Sequence, residues 1–342
     1  MRVLITGGTG LLGCHAAAAL RASGHQVRLL VRNPDKIPRV YRPLGIETID
    51  HVVGDVTDPE AVGSALSGCD AVLHTAAVFS LDCRRAQELH HTNVVGSERV
   101  LGTAARLGLD PILHVSSITA LFPPDGRLLT PDTSVKQPRD MYARSKADAE
   151  RIARGLQQDG QPVTILYPGQ IWGPCDPTLN DGIRAHFGFA RARIFPDTPG
   201  GVPIVDVRDL TGPIAAILRP GQGPRRYMVG GHFLPYGEVG RIFTRLTGRR
   251  VAHPPVSGAA MRGIGRFVDL VQRRFGVTVG PTYEAMLTLT RGVPCDDSRA
   301  RGELGFSPRP IDETVRDTLR WGFEQGAISA RHIGRIAGPA PP

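Results

Sequence analysis

The sequence predicts an α/β protein with a doubly wound parallel sheet and a smaller, partly interleaved α/β domain toward the C-terminus. Two observations support this prediction. Short apolar runs alternate with helix-forming stretches through the first half of the chain, starting with a run at 3–5 and a helical stretch at 14–22. Such alternation is typical of parallel sheets with helical crossovers. Beyond residue 174 the pattern changes to loop-rich segments and amphipathic helices, which indicates a second unit.

The composition is that of an ordinary globular protein. The chain has 342 residues, 41% hydrophobic and 21% charged, which is enough for two domains. Its five cysteines are scattered and never form a Cys-x-x-Cys pair, which favours a cytoplasmic protein with reduced thiols and no metal site. No apolar run approaches the ~20 residues of a membrane span, and glycines interrupt the N-terminal run that a signal peptide would need.

The formal net charge of +9 comes from basic residues dispersed singly and in pairs. This pattern favours a basic surface over a nucleic-acid site. Residues 258–275 predict a basic amphipathic helix, a type that can lie on membranes. We expect instead a helix docked on the fold with a solvated basic face, and no peripheral membrane contact. Only three lysines occur, at 36, 136 and 146, and the other basic residues counted with them are arginines. A lysine that stands in a motif therefore indicates that the site needs an ammonium group rather than any cation.

A glycine-rich turn joins the first predicted strand to the first helix. Four glycines supply a tight turn, a bare backbone and a close helix–strand contact, at 7, 8, 10 and 13. This is the pattern of a dinucleotide-binding loop, with the pyrophosphate at the helix N-terminus. The residues predicted to contact the dinucleotide here are Gly7, Thr9, Gly10, Leu11 and Leu12.

The second predicted strand, 26–31, ends at Arg32. This position faces the adenosine ribose in such folds, where an acidic residue selects NAD and an arginine accommodates NADP. We therefore expect NADP, with NAD as the second choice. After a third strand at 47–53, Asp55 and Val56 are expected beside the adenine, and Asp58 predicts the cap of the next helix.

The next two strands bring small and hydroxyl-bearing residues to the same edge of the sheet. A strand at 70–73 precedes Thr75, Ala76 and Ala77, and a long helix is predicted at 81–107. A strand at 112–115 ends at Val115 and leads into Ser116 and Ser117. Ligands bind at the carboxyl ends of parallel strands, so these residues are candidates for the cofactor and substrate site.

Tyr142 and Lys146 open a helix predicted to run to about Gln158. Residues four apart lie on one helix face, and an ammonium group favours the charged form of a nearby phenol. The pair is therefore a candidate for acid–base catalysis. A sixth strand at 163–167 leads to Pro168, which we expect beside the nicotinamide.

Fewer motifs mark the rest of the chain. The expected helices cover 180–191, 213–218, 236–248, 258–275, 296–304 and 312–323, and the expected strands cover 202–207 and 226–229. We expect a dinucleotide-binding domain at 1–174, joined again by 202–229. A substrate-binding domain is expected at 175–201 and 230–330, and a flexible tail at 331–342.

Several motifs taken together resemble those of an extended short-chain dehydrogenase/reductase, in the NAD-dependent epimerase/dehydratase superfamily. The Leu-Val-Arg-Asn-Pro turn at 30–34 is similar to that of the dihydroflavonol reductase-like and 3β-hydroxysteroid dehydrogenase-like branch. The matching motifs are Thr6-Gly7-x-x-Gly10-x-x-Gly13, Gly54-Asp55-Val56, Thr75-Ala76-Ala77, Asn93-Val94-Val95-Gly96, Val115-Ser116-Ser117, Tyr142-x-x-x-Lys146 and Pro168-Gly169-x-x-x-Gly173-Pro174.

The resemblance implies a Rossmann-type fold and a role for each matched residue. Ser117 would bond the substrate oxygen, with Ser116 as the competing candidate. Tyr142 would donate a proton to that oxygen. Lys146 would bond the nicotinamide ribose and lower the pKa of the phenol. The residues expected near the substrate are Phe79, Thr119, Phe122, Gln170, Trp172 and His186.

These expectations favour NADPH-dependent reduction of a ketone or aldehyde, or oxidation of the corresponding alcohol. The expected partner is this small-molecule substrate, and a homodimer is left open. One alternative is a nucleotide-sugar epimerase or dehydratase, for which the arginines at 184, 191, 193 and 208 keep a diphosphate pocket open. Ile118, Ala120 and Leu121 depart from the pattern common after the serine in sugar-nucleotide epimerases. The other alternative is a non-catalytic NADP-sensing regulator, against which the intact serine, tyrosine and lysine argue.

Overall fold

The computed structural model describes residues 1–80, 85–123, 126–138, 140–179, 181–275 and 282–338. Its strands are β1 (Arg2–Thr6), β2 (Gln26–Val31), β3 (Asp50–Val53), β4 (Ala71–His74), β5 (Ile112–Val115), β6 (Val163–Pro168), β7 (Gln170–Trp172), β8 (Gly201–Asp206), β9 (Arg225–Val229) and β10 (His232–Pro235).

The helices alternate with these strands in the first half of the chain. They are α1 (Leu11–Ala22), α2 (Lys36–Tyr41), α3 (Pro59–Leu66), α4 (Ala86–His90), α5 (Gly96–Arg106), α6 (Met141–Gln158), α7 (Asp181–Ala192), α8 (Val207–Ile217), α9 (Tyr236–Thr247), α10 (Gly258–Phe275), α11 (Tyr283–Arg291), α12 (Ser298–Leu304), α13 (Ile311–Glu324) and α14 (Ala330–Ile333).

Seven strands form one parallel sheet in the order β3-β2-β1-β4-β5-β6-β9. The strand order reverses between β1 and β4, so their carboxyl ends lie side by side, with Thr6 paired to His74. Ligand crevices of open parallel sheets form at such a reversal. Two apolar clusters contain the buried side chains of the sheet and its helices. The predicted α/β class and doubly wound parallel sheet are confirmed.

A second sheet has the order β10-β8-β7, with β8 parallel to β7 and antiparallel to β10. The chain enters it at Gly169, where an added Cβ would lie 2.4 Å from the Gly230 carbonyl oxygen. This close approach lets the backbone pass from β6 directly into β7. Of the stretch 202–229, β9 lies in the large sheet, whereas β8 belongs to the small one. The division into two domains stays a prediction.

Two predicted helices near the nucleotide-binding edge differ from the observed ones. Helix α1 begins at Leu11 rather than at 14, because Gly10 in extended conformation caps it. The helix predicted at 81–107 is divided by a π-helical turn at His91–Val95. Residues 81–84 of that prediction lie outside the described residues.

Aspartate caps determine where two other helices start. The predicted cap of α3 is confirmed, since the Asp58 carboxylate accepts from the Glu60 amide at 2.9 Å. Helix α8 begins at Val207 rather than at 213, because the Asp206 carboxylate accepts from the Arg208 amide at 2.9 Å. Residues 206 and 207 were predicted as the end of a strand at 202–207, so this cap was not predicted.

The predicted flexible tail is wrong for residues 331–338. Helix α14 is followed by a 3₁₀ turn, Gly334–Ala337. Ile333 and Ile336 are buried in the apolar cluster of the C-terminal half. Burial of these two side chains outweighs the loop-forming tendency of the neighbouring glycines. Residues 339–342 lie outside the described residues.

Helix α10 forms over the predicted range and is docked on the fold, with Arg266 and Arg274 exposed as expected, but most of its apolar side chains do not face the fold. The side chains of Ile264, Phe267 and Leu270 are exposed rather than docked. The inward face contains Met261 and Gly265 instead. An added Cβ at Gly265 would lie 2.7 Å from the Tyr283 Cα, so this glycine lets α10 pack closely on α11. Across the described residues, no helix is long and apolar enough to span a bilayer.

Candidate active site

The N-terminus of α6 positions the predicted tyrosine and lysine. Asp140 caps the helix in extended conformation, and its carboxylate accepts from the Ala143 amide at 2.8 Å. Tyr142 therefore lies in the first turn and Lys146 in the second. Lys146 is buried, and its Nζ donates to the Val115 carbonyl oxygen at 3.1 Å. This bond holds the ammonium group at the carboxyl end of β5.

Ser117 is the serine that reaches the tyrosine. Its hydroxyl oxygen accepts from the Thr119 amide at 3.2 Å and from the Thr119 hydroxyl at 2.8 Å. The Ser117 proton is thereby not used by Thr119, and the Ser117 hydroxyl lies beside the Tyr142 phenol, whose pKa it lowers. The hydroxyl of Ser116 is buried and has no hydrogen-bond partner among the described residues. The geometry thus favours Ser117 over Ser116 as the serine of the site.

Burial controls the pKa values of the tyrosine and the lysine. It raises the pKa of Tyr142 to about 12, although the Ser117 hydroxyl lowers it in part. Burial lowers the pKa of Lys146 to about 8, against the Glu150 carboxylate, which raises it. The resemblance implied that Lys146 would lower the pKa of the phenol. In this structure burial outweighs any such effect, so the phenol holds its proton at neutral pH.

Four of the predicted substrate residues lie near the serine and tyrosine or on strand β7, which follows β6. Phe79 packs edge-on against the Tyr142 ring, with centroids 4.6 Å apart, and Thr119 contacts Ser117. Phe122 is buried at the end of the 3₁₀ turn Ile118–Leu121. Gln170 is half-buried on β7. Phe79 and Thr119 are thus the two that contact a predicted catalytic residue directly.

Trp172 and His186 instead lie in the C-terminal half, where Trp172 belongs to the apolar cluster. Their rings are 4.8 Å apart, and Trp172 also packs edge-on against Phe243. The His186 Nδ1 bonds the Gly182 carbonyl oxygen at 2.8 Å. Burial lowers the pKa of His186 to about 4. The structure therefore gives both residues a packing role, and their place in the substrate site stays a prediction.

The glycine turn has the shape that a dinucleotide needs. Gly7 has φ +73°, and an added Cβ there would lie 2.6 Å from the Ala76 nitrogen. An added Cβ at Gly13 would lie 2.3 Å from the Gly7 carbonyl oxygen. Helix α1 is capped by Gly10, which has no side chain to accept a hydrogen bond. The backbone amides of Leu11 and Leu12 in the first turn are therefore not bonded to a capping side chain. Such amides suit a pyrophosphate.

Two hydroxyl groups support the turn from neighbouring segments. The Thr75 hydroxyl donates to the Thr6 carbonyl oxygen at 2.7 Å. The Tyr41 hydroxyl donates to the Gly8 carbonyl oxygen at 2.8 Å, a contact that the sequence did not indicate. These contacts hold the loop at the reversal point of the sheet.

The other predicted cofactor residues differ in exposure. Thr9 is half-buried in the turn and Ala77 is exposed after β4. Val56, Val115 and Pro168 have buried side chains. Thr9 lies in the glycine turn, and the other four lie at or just after the carboxyl ends of strands. The contact of these five residues with a cofactor stays a prediction.

The adenosine end of the predicted site has an exposed arginine. Arg32 follows β2, its side chain is 63% exposed, and its guanidinium lies 3.9 Å from an Asp55 carboxylate oxygen. The other Asp55 oxygen accepts from the Thr57 amide and hydroxyl at 2.9 and 2.8 Å. Asp55 is thus held in place by Thr57, whereas the exposed Arg32 side chain has room to turn toward an anion.

Three further buried polar residues support the site, although they were not predicted as members of it. His74 bonds the Thr6 hydroxyl at 2.7 Å and the Ser97 hydroxyl at 3.0 Å. Burial and Lys146 lower the pKa of His74 to about 3, so the ring is neutral.

Asn93 is the second of these residues. Its side-chain amide donates to the Val78 carbonyl oxygen and to the Ser145 hydroxyl, both at 2.9 Å. It therefore ties the segment after β4 to the helix that contains Tyr142 and Lys146. The asparagine belongs to a motif found in the sequence, but its two partners are distant in the chain.

Glu150 is the third. It follows Lys146 by one helical turn and precedes Arg154 by another, a spacing that is visible in the sequence. Its carboxylate accepts from the Tyr167 hydroxyl at 2.5 Å and from Arg154 at 2.6 Å. The cluster fixes α6 against β6 and places a negative charge near Lys146.

Comparison with known proteins identifies the family of the chain. The model of the NAD dependent epimerase/dehydratase family matches residues 3–193. "Sterol demethylase protein B" of Methylococcus capsulatus is 32% identical, over 96% of this chain and 100% of its own. A "Putative dihydroflavonol 4-reductase" of Synechocystis is 26% identical, over 96% of each chain. A "4-hydroxy-2-methyl-3-oxo-4-farnesyl-3,4-dihydroquinoline-1-oxide ketoreductase" of Stigmatella aurantiaca is 29% identical, over 97% of this chain and 99% of its own.

Solved structures show the same fold. UDP-glucose-4-epimerase from Stenotrophomonas maltophila, with bound NAD and formylated UDP-arabinopyranose, superimposes with a TM-score of 0.76 at 21% identity, over 95% of this chain and 99% of its own. The resemblance stated from the motifs is confirmed. The family and the relatives' names indicate an NAD(P)-dependent enzyme of the oxidoreductase type.

Proposed function

The chain belongs to the NAD dependent epimerase/dehydratase family, and on that premise we propose that it reduces a ketone or aldehyde with NADPH, or oxidises the corresponding alcohol. Ser117, Tyr142 and Lys146 perform the reaction in this proposal. The observation that supports it most is the placement of the Ser117 hydroxyl beside the Tyr142 phenol, with Lys146 buried one helical turn further along α6. We place the enzyme in the cytoplasm, where NADPH is available and thiols stay reduced.

Tyr142 acts as the acid. Because burial raises its pKa to about 12, the phenol is protonated at neutral pH and can give its proton to a carbonyl oxygen. Ser117 donates a second hydrogen bond to the same oxygen when it turns from Tyr142 toward the substrate. A bound nicotinamide cofactor supplies the hydride for the carbonyl carbon. Lys146 holds a positive charge near the phenol and stabilises the phenolate that remains.

The choice of NADPH rests on Arg32. Its guanidinium is exposed at the carboxyl end of β2, and the strand itself ends without an acidic residue. An arginine at this position binds the 2′-phosphate of NADP, whereas an acidic residue binds the free ribose hydroxyl of NAD. The bare backbone at Gly7 and Gly10 fits the pyrophosphate of either cofactor.

We place an apolar ketone ahead of a nucleotide sugar as the substrate. Phe79 packs on Tyr142, and Phe122 ends the turn that begins after Ser117. Aromatic side chains beside the reacting groups favour an apolar substrate. Two of the relatives have names that refer to a sterol and to a farnesylated quinoline.

Three of the four arginines that would suit a diphosphate are engaged within the protein, one of them being Arg191, which donates to the Ala327 carbonyl oxygen. Arg208 pairs with Asp206 and Asp317 at 2.8 and 2.7 Å. The Arg184 guanidinium donates to the Leu179 carbonyl oxygen at 2.6 Å. An arginine held in this way is less available to the diphosphate of a nucleotide sugar. This also supports an apolar ketone over a nucleotide sugar as the substrate.

The test is consumption of NADPH by the purified protein over a panel of apolar ketones, aldehydes and nucleotide sugars. The variant Tyr142→Phe removes the acid, and Tyr227→Phe is the matched control because its hydroxyl bonds Glu303 on α12. We expect NADPH loss with an apolar ketone, abolished by Tyr142→Phe and kept by Tyr227→Phe. If only a nucleotide sugar reacts, without net NADPH loss, the chain is an epimerase. If NADPH binds and nothing reacts, the regulator alternative takes precedence.

A further inference from the structure

Helix α10 exposes four large apolar side chains on one face, with Arg274 among them. Ile264, Phe267, Leu270 and Phe275 are 56%, 66%, 64% and 69% exposed. At about 100° per residue these four side chains fall within an arc of about 140° on one side of the helix. Exposed aliphatic and aromatic side chains that share one face indicate a contact surface rather than scattered surface residues.

The fold does not need this face. Helix α10 is held by its opposite side, where Met261 is buried and Gly265 approaches the Tyr283 backbone. Arg262 on that side donates to the Thr290 hydroxyl at 3.0 Å. Because the inner face is committed to α11, the apolar face is left to solvent or to a partner.

Basic side chains accompany the apolar face. The Arg266 guanidinium lies 5.1 Å from the centre of the Tyr283 ring, and that of Arg274 lies 5.7 Å from the centre of the Phe275 ring. Among the described residues, no carboxylate forms an ion pair with either arginine. Both charges can therefore serve an external anion.

We propose that the apolar face of α10 docks on an anionic lipid bilayer, with Phe267 and Leu270 inserted among the acyl chains and Arg266 and Arg274 on the headgroup phosphates. Amphipathic helices of this composition bind membranes through buried apolar area plus attraction to anionic lipid. The chain's net charge of +9 adds to that attraction. The proposal reverses the expectation drawn from the sequence, because the apolar side chains turn outward and not onto the fold.

A second copy of the chain fits the same face less well. A twofold dimer places one patch against its own copy. Here that arrangement would bring Arg266 and Arg274 close to the same arginines of the second copy. The one carboxylate of α10, Asp269, accepts from the Tyr283 amide at 3.3 Å and so lies on the side of α11. A bilayer with anionic headgroups complements the arginines instead.

The docked face lies on the side of α10 opposite Asp269, whose carboxylate accepts from the Tyr283 amide. Burial raises the pKa of Asp140, the cap of α6, and the Asp269 carboxylate raises it further. The start of α6 is therefore related to the inner side of α10 and not to the docked face. Membrane binding itself does not depend on the reaction proposed above.

The experiment is co-sedimentation of the full chain with vesicles of phosphatidylcholine, or of equal parts phosphatidylcholine and phosphatidylglycerol. We expect binding to the anionic vesicles, weakened by raised salt. The double variant Phe267→Ser/Leu270→Ser should lower binding by about tenfold or more, because it removes two inserted side chains. Leu107→Ser is the matched control, since Leu107 is 55% exposed at the end of α5. It should bind like the wild type.

Further variants test the role of the arginines, and light scattering tests for self-association. Arg266→Gln/Arg274→Gln should reduce binding to anionic vesicles selectively, and Tyr142→Phe should leave binding unchanged. No binding of the wild type to anionic vesicles at low salt would overturn the proposal. So would equal binding by Phe267→Ser/Leu270→Ser. A dimer in light scattering that this double variant converts to monomer would assign the face to self-association instead.

Discussion

The Ser117 hydroxyl lies beside the Tyr142 phenol, beyond the carboxyl end of β5, and lowers the pKa of that phenol in part. Thr119 occupies the acceptor capacity of the Ser117 oxygen through its amide and its hydroxyl. The Ser117 proton is thus not used by Thr119, so the hydroxyl groups of Ser117 and Tyr142 can both donate to one substrate oxygen. Ser116, its neighbour, has no such partner among the described residues.

This relationship predicts that the two serines differ in their effect on catalysis. Ser117→Ala should lower kcat/KM by about 10²-fold, the usual loss when one donor to a reacting oxygen is removed. Ser116→Ala should lower it by less than about tenfold, since a hydroxyl that donates to no group of the site contributes little to the reaction. Steady-state kinetics on the two variants decide between the serines. A larger loss in Ser116→Ala would transfer the role to that residue.

The lowered pKa of Lys146 predicts a pH limit on activity. Since that pKa is about 8, the ammonium form predominates below this pH and is lost above it. If the charge supports Tyr142, kcat/KM for reduction should fall above that pH, by about tenfold per pH unit. Lys146→Arg is the control, because arginine stays protonated through this range. Its activity should be lower, without an inflection near that pH. A falling limb that persists in Lys146→Arg would assign it to another group.

Arg32 predicts the cofactor preference. Arg32→Glu removes the phosphate-binding charge and adds a repulsive one, so KM for NADPH should rise by about 10–100-fold, as for a lost charge-assisted hydrogen bond. The KM for NADH should fall or stay unchanged. Arg39→Glu, on α2 beyond the strand end, is the matched charge reversal and should change both KM values little. Equal KM values for NADPH and NADH in the wild type would contradict the preference.

Asp206 predicts a stability effect away from the reacting groups. Its side chain is fully buried, caps α8, and accepts two hydrogen bonds from the Arg208 guanidinium at 2.9 and 2.8 Å. Asp206→Ala should lower the free energy of unfolding by about 1–3 kcal/mol, since it removes the cap of α8 and two charge-assisted hydrogen bonds, while Arg208 keeps Asp317 as a partner. Asp312→Ala breaks an exposed pair with Arg245 and should cost about 0–1 kcal/mol. Denaturant unfolding of the two variants measures both values.

The same carboxyl group gives the effect a pH dependence. Burial alone would raise the pKa of Asp206, but its hydrogen bonds with Arg208 outweigh burial and lower it. Its contribution to stability is therefore present above the ordinary pKa of an aspartate and is lost as the pH falls through the lowered value. The stability difference between wild type and Asp206→Ala should shrink in that acidic range. A difference that stays constant there would show that the ion pair contributes little.

Local signals allowed the sequence to predict the sheet, the glycine turn and the position of the tyrosine and lysine. Gly7 and Gly13 indicate a turn in the sequence, and the structure shows why a side chain does not fit at either position. The four-residue spacing of Tyr142 and Lys146 fixes their common helix face. These features depend on neighbours in the chain, so one sequence is enough to find them.

Other features depend on contacts between distant segments. The burial of Trp172 is decided by α7 and α9, through His186 and Phe243. The outward face of α10 follows from the close contact of Gly265 with α11, which no periodicity shows. Tyr167 meets Glu150 only when β6 lies against α6. Residues 331–338 are folded because Ile333 and Ile336 are buried against distant segments, and the composition of the segment does not show this.

In the proposed reaction, hydride from NADPH is added to a carbonyl carbon and remains in the product, and Tyr142 supplies the proton. The most direct measurement uses NADPH deuterated at the transferred position and an apolar ketone from the panel, with mass spectrometry of the product. We expect one deuterium on the new carbinol carbon for each NADPH consumed by the wild type, and no product from Tyr142→Phe. Undiminished product formation by Tyr142→Phe, or NADPH loss without deuterium in the product, would contradict the claim.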